Sequence, residues 1–234
     1  MEAASLPGSF FTAYQTLLRA EKVLASTGGL KGKTILVTAG LSGISLLTIQ
    51  LAKSVFGAAK VITTVSTSKV PLIPQLLGEN AVDQIVDYVT QDPSKAIGEN
   101  TVDVMFDALG GWSKYTKVMK PNTGLVVSIA IGMGSKVVSE IIPLPFWACW
   151  LIDLVAWYNN LWTLSKNLKF EFVSGRIREG QLEMVEDLVK QGKMKPVVAE
   201  WADFGDLEKL KKAGVACKTG KGAVGRFVVR ILKE

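Results

Sequence analysis

Residues 31–57 read KGKTILVTAGLSGISLLTIQLAKSVFG, and no other stretch restricts the fold as strongly. An apolar run of strand length, 34–38, enters a turn of small residues, after which Leu46, Leu47, Ile49, Gln50 and Leu51 recur at helical spacing. A strand that feeds a helix through a tight turn aims the helix's unsatisfied N–H groups and dipole at whatever lies above the turn. That position suits an anion such as a pyrophosphate. Gly40 and Gly43 are present in the turn, while Ser42 and Ser45 stand where phosphate-cradling turns carry further glycines. Serine adds a Cβ but also a hydroxyl donor. At this point two readings stay open, a phosphate-binding turn and an ordinary strand–turn–helix.

Composition narrows the chemistry. The chain has 234 residues, 48% hydrophobic and 21% charged, enough for a globular core. Its net charge of +6 comes from dispersed lysines with a mild cluster at Lys209, Lys211, Lys212, Lys218 and Lys221. Such a face is solvated and attracts phosphorylated ligands, and no nucleic-acid-binding motif accompanies it. Histidine is absent, which removes Ser-His-Asp and Cys-His arrangements and the commonest zinc ligand. Cys149 and Cys217 lack metal spacing, so no metal is expected and both read as reduced thiols. Residues 1–9 show neither part of a secretory signal, and a cytoplasmic location is the expectation.

Along the chain, helix and strand patterns alternate. Residues 12–24 form an amphipathic helix leading through Gly28, Gly29 and Gly32 into the first strand. Further strands are predicted at 60–65, 84–86, 102–106, 124–129 and 169–173, with helices at 72–77, after the Gly110-Gly111 turn up to Lys120, and at 181–191. The last 39 residues read as strand 196–200, helix 204–215 and strand 225–232. The fold class is therefore α/β, a doubly wound parallel sheet of Rossmann type with a C-terminal strand-helix-strand extension. The expected division is 1–32 as lead-in helix and linker, 33–195 as dinucleotide-binding domain, and 196–234 as extension. Within the domain, 141–165 is an aromatic-rich helical insert. Pro143, Pro145 and Asp153 interrupt it, leaving no clean span of bilayer length. It suits a helix covering the sheet or lining a pocket through Trp147, Trp150 and Trp157, or a peripheral membrane or partner contact.

The loop after the second strand, Ser66-Thr67-Ser68-Lys69, has three hydroxyls, one lysine and no carboxylate. An acid there holds the ribose 2′-hydroxyl of NAD, whereas hydroxyls and a cation accept the 2′-phosphate of NADP. NADP(H) is thus the favoured cofactor, against a polar loop that only caps the next helix.

Nearly the whole chain resembles the zinc-independent, quinone-oxidoreductase-like branch of the medium-chain dehydrogenase/reductases. The similar segments are Ala4-Ser5-Leu6-Pro7 with Thr12-Ala13-Tyr14-Gln15, Ile35-Leu36-Val37-Thr38, Gln50-Leu51-Ala52-Lys53, Asp87-Tyr88, Val102-Asp103-Val104-Met105-Phe106-Asp107 with Gly110-Gly111, Val127-Ser128-Ile129, and Gly225-Arg226-Phe227-Val228-Val229-Arg230. The resemblance implies that Ser66, Thr67, Lys69 and Tyr88 contact the adenosine phosphate end. It puts Gly40, Ser42, Gly43 and Ile44 on the pyrophosphate loop, and Ala108, Gly110 and Ser128 at the edge of the nicotinamide pocket. It implies metal-free hydride transfer from NADPH to a quinone, enone or enoyl-type apolar substrate. Family members carry a barrel-like domain before this sheet, and their final strand–helix–strand folds back onto it. The expectation here is a chain lacking that domain, with Tyr14 or Ser128 as polarising donor and a homodimer covering the tail. Two alternatives stand beside the reductase: a cofactor-independent cyclase or pericyclase in natural-product assembly, and a non-catalytic partner subunit.

Overall fold

The computed structural model describes residues 2–130, 134–139, 143–175, 180–219 and 224–231. Lys221, Leu232 and residues 141–142, placed by the sequence in the basic cluster, the last strand and the insert, lie outside them, as do the side chains of Cys217 and Lys218.

A six-stranded parallel sheet forms the body, with strands β1 (Thr34–Val37), β2 (Lys60–Val65), β3 (Gln84–Asp87), β4 (Val104–Asp107), β5 (Leu125–Ser128) and β6 (Lys169–Phe172). Their spatial order is β3-β2-β1-β4-β5-β6, so the chain direction across the sheet reverses between β1 and β4. Doubly wound folds bind ligands above that point, at the carboxyl ends of the strands. The two faces divide the core by the pleat. Ile35, Val37, Val104, Phe106, Leu125 and Val127 enter one cluster, whereas Leu36, Met105 and Val126 enter the other. Burial on both sides explains why these strands read as unbroken apolar runs.

The helices are α1 (Glu2–Ser5), α2 (Pro7–Val23), α3 (Gly43–Ser54), α4 (Leu72–Leu77), α5 (Pro93–Ile97), α6 (Ser135–Ser139), α7 (Phe146–Ser165), α8 (Gln181–Lys190) and α9 (Leu207–Thr219). The lead-in helix α2 begins at Pro7, earlier than its amphipathic pattern indicated, because proline suits the first helical turn and Phe10 and Phe11 just after it are buried. It packs on α3 and belongs to the same layered body. The helix expected up to Lys120 is a 3-10 helix, Trp112–Val118. Trp112, Tyr115 and Val118 recur every third residue, which matches three residues per turn, and all three pack against the second cluster. Asp92 and Pro93 start the short α5, whose cap accepts from the Ser94 N–H at 2.8 Å.

The C-terminal extension forms its own two-stranded parallel sheet, β7 (Val198–Asp203) with β8 (Arg226–Arg230), joined through α9. β7 runs three residues past the predicted end at Glu200. Asp203, polar enough to look like a turn residue, is paired across the ladder with Arg230 at 2.6 and 3.0 Å.

Candidate functional site

The turn between β1 and α3 is built from its own side chains. Ser42 caps α3: its Oγ accepts from the Ser45 N–H at 3.1 Å and donates to the Ser45 Oγ at 2.8 Å, which in turn donates to the Thr38 carbonyl at 2.9 Å. The two serines that replace glycines thus bind each other and the strand end. Helix geometry leaves the N–H groups of Gly43 and Ile44 at the open end of α3. Gly40 is required by packing, since a Cβ there would lie 2.2 Å from Thr63 Oγ1. Ala39 adopts φ of 52°, a left-handed conformation that favours glycine.

Two adjoining cavities share Ser42, Gly43 and Gly225. The larger, about 820 Å³, runs from Ser66, Lys69 and Tyr88 beyond β2 and β3 to Gly110 beyond β4. The smaller, about 490 Å³, is bounded by Ile44, Ala108 and Ile129 on one side and by Leu210, Arg226 and Phe227 of the extension on the other. Of the residues proposed from sequence, Ser42, Gly43, Ile44, Ser66, Lys69, Tyr88, Ala108 and Gly110 are therefore brought to one continuous cleft.

Several are placed elsewhere. The Thr67 hydroxyl bonds to the Asp87 carboxylate, which also accepts from the Val89 N–H and the Thr90 hydroxyl; these bonds, Thr67 foremost, hold Asp87 below the usual carboxylate range. Thr67 thus braces the turn that carries Lys69. Tyr14 stacks on Phe10, touches Phe56 just past the far end of α3, and lines neither cavity. Ser128 is fully buried, with its hydroxyl donating to Asp107 Oδ2 at 3.1 Å. Trp147, Trp150 and Trp157 are 58, 65 and 59% exposed, so the aromatic-walled substrate pocket expected from the sequence is not formed by them.

Two residues that the sequence reading did not assign stand at the centre. Asp107, at the end of β4, is fully buried; its Oδ1 accepts from the N–H groups of Leu109, Gly110 and Gly111 at 3.0–3.3 Å, tying down the turn under the cleft. Burial pushes its carboxyl above the usual range in spite of those bonds. Burial, with Asp107 nearby, likewise raises Tyr115 in the wall of the larger cavity, against the opposing effect of its hydrogen bond with Thr64. Arg226 is the second. Its Nε donates to Ser9 Oγ, and its side chain lies so close to Gly43 that a Cβ there would meet it at 2.9 Å. A guanidinium is thus set beside the α3 N-terminus, and both favour an anion there. The only signal in the sequence was a cation after Gly225, which a strand accommodates without any site.

The architecture is that of a doubly wound α/β domain with a cleft at its topological switch point. The family model for zinc-binding dehydrogenases matches residues 81–229, more than half of the sequence, and the chain belongs to that family. It is 40% identical over 126 residues to a 2-methylene-furan-3-one reductase of Solanum lycopersicum, a match covering 54% of this chain and 29% of the relative. It is 39% identical over 128 residues to a chloroplastic NADPH-dependent alkenal/one oxidoreductase of Arabidopsis thaliana, covering 55% of this chain and 30% of the relative. Its fold matches a quinone oxidoreductase from Coxiella burnetii with a TM-score of 0.70 at 24% identity, over 98% of this chain and 60% of that one. The chain thus corresponds to part of the length of each. The zinc in the family's description has no fitting site among the described residues: the chain has no histidine, and no three Cys, Asp or Glu side chains cluster.

Proposed function

We propose that this chain binds NADP(H) and serves a metal-free reduction of a quinone, enone or enoyl-type apolar substrate. The observation that carries the reading is the cleft. Lys69 and Ser66 stand at one end of it, the α3 N-terminus with Arg226 in the middle, and Ala108 with Gly110 toward β5. The spacing suits a 2′-phosphate at the lysine, a pyrophosphate over Gly43, and a ring toward the β4 and β5 ends. The NADPH dependence named for the Arabidopsis relative supports the same cofactor.

A nicotinamide cofactor, when bound, would supply the hydride. The chain's own part is positioning: Arg226 and α3 fix the diphosphate, Asp107 rigidifies the 109–111 turn through three N–H bonds, and apolar Ala108 and Ile129 exclude water. The cyclase alternative relied on tryptophans lining one hollow, and their exposure in α7 removes that support.

The test is cofactor binding by this chain, read by NADPH fluorescence and thermal shift. NADPH at 100 times its dissociation constant is expected to stabilise the fold by about 2.7 kcal/mol. Lys69→Glu is expected to weaken NADPH at least tenfold while leaving NADH nearly unchanged. No shift at millimolar NADPH overturns the redox reading, and equal losses for both cofactors overturn the 2′-phosphate assignment.

A further inference from the structure

The helix α7 is the most unusual surface of the molecule. Over its 20 residues, ten large apolar or aromatic side chains are 44–87% exposed. Trp147, Trp150, Leu154, Trp157, Tyr158 and Leu161 recur at i, i+3 and i+4 spacing, so they share one outward face, while Thr163 is buried and Trp162 packs on Trp112. The inverse of an ordinary surface helix results: its apolar stripe faces out. With about 150–250 Å² per large side chain, the exposed patch is on the order of 1,000 Å², well above the patches that monomers usually show.

We propose that α7 is an interfacial helix that docks the protein on an anionic lipid surface, lying in the head-group layer without spanning it. No helix among the described residues is long and apolar enough to cross a membrane, whereas 20 residues at about 1.5 Å per residue make a rod of ~30 Å that lies flat. The face carries the side chains that favour this depth, because indole and phenol rings bury an apolar body and leave one polar group at the wet boundary. Its sole acid, Asp153, is turned to α6, where it accepts from the Ser135 N–H at 2.8 Å and the Ser135 hydroxyl at 2.7 Å. The charges around it choose the occupant. The exposed charged residue of α6 and those just after α7 are all basic, Lys136, Lys166 and Lys169, on a chain of net charge +6. A second copy would bring like charges together around the seam, while anionic head groups neutralise them. This inference stands apart from the redox reading, since α7 lines neither cavity.

Co-sedimentation of the intact chain with vesicles of phosphatidylcholine alone and of equimolar phosphatidylcholine and phosphatidylserine tests it. Expected are binding to the anionic vesicles, quenching of tryptophan fluorescence by bromolipid, and at least tenfold weaker partition for W150S/L154S and for K166E/K169E. All four positions are exposed, and the unaltered chain's bromolipid quenching provides a readout that needs no variant. The proposal is overturned by absence of binding to either vesicle, or by binding that survives the W150S/L154S change. It is equally overturned if the chain forms a dimer in lipid-free buffer whose dissociation is promoted by W150S/L154S and whose tryptophans are shielded from bromolipid.

Discussion

At the scale of single residues, the cleft shows where a side chain opposes its own backbone. Ala39 holds φ of 52° in the turn between β1 and α3. An L-residue there costs about 1–2 kcal/mol, and a glycine's extra unfolded-state freedom takes back part of the relief. Ala39→Gly is therefore expected to stabilise the fold by about 0.5–1 kcal/mol in urea denaturation, and a loss would show that the alanine methyl packs favourably. Asp107 gives a pH signature. Because burial raises its native pKa above the ordinary 3.8, its contribution is greatest when both states are protonated and declines as pH rises from that value through the raised native one. Asp107→Asn removes the titration. The stability of the wild type relative to this variant is expected to fall across that window in denaturation series, and a flat difference would refute the assignment. Neither feature was legible in the sequence. Asp107 looked like a strand-end acid, and only the turn that folds three N–H groups onto it gives it a role.

At the scale of elements, the periodic signals survived and the boundaries moved where pairing overrode composition. β7 continues to Asp203 because Arg230 neutralises it, with the Arg230 guanidinium also 4.6 Å over the Trp201 ring. Both partners are about one-third exposed, which keeps the pair's worth near ~1 kcal/mol. Asp203→Ala is expected to speed amide exchange in β7 and β8 roughly fivefold with little change in the main sheet. Uniform acceleration across the protein would mean that the small sheet does not open on its own. The helix expected after the Gly110-Gly111 turn forms at 112–118 as the tighter 3-10 type, with Trp112 packed on Trp162 and Phe170.

At the scale of the whole molecule, the extension is tied to the turn between β1 and α3. The Gly225 N–H donates to the Leu41 carbonyl at 2.7 Å, and Arg226 reaches both Ser9 and the face of Gly43. Chain segments near both ends thereby meet at the α3 N-terminus. Arg226→Gln is expected to weaken NADPH and NADH alike, by about tenfold, the scale of one charge-assisted hydrogen bond. Titration of both cofactors separates it from Lys69→Glu, which should discriminate between them. If Arg226→Gln affects only NADPH, the guanidinium serves the 2′-phosphate and the order of groups along the cleft is different.

The alternation of β-branched runs with amphipathic stretches determined the parallel sheet, and the hydroxyl-and-lysine loop after β2 determined that a lysine stands at that end of the cleft. Both are local properties, set by pleat, helical period and the charge of adjacent residues. The tertiary structure decided what depends on distant neighbours. It engaged the Thr67 and Ser128 hydroxyls with buried acids, sent Tyr14 into the α2–α3 packing, brought Arg226 to the turn before α3, and left Trp147, Trp150 and Trp157 of α7 facing outward. A side chain's chemistry is written in its type, but which partner it meets depends on how elements far apart in the chain are stacked.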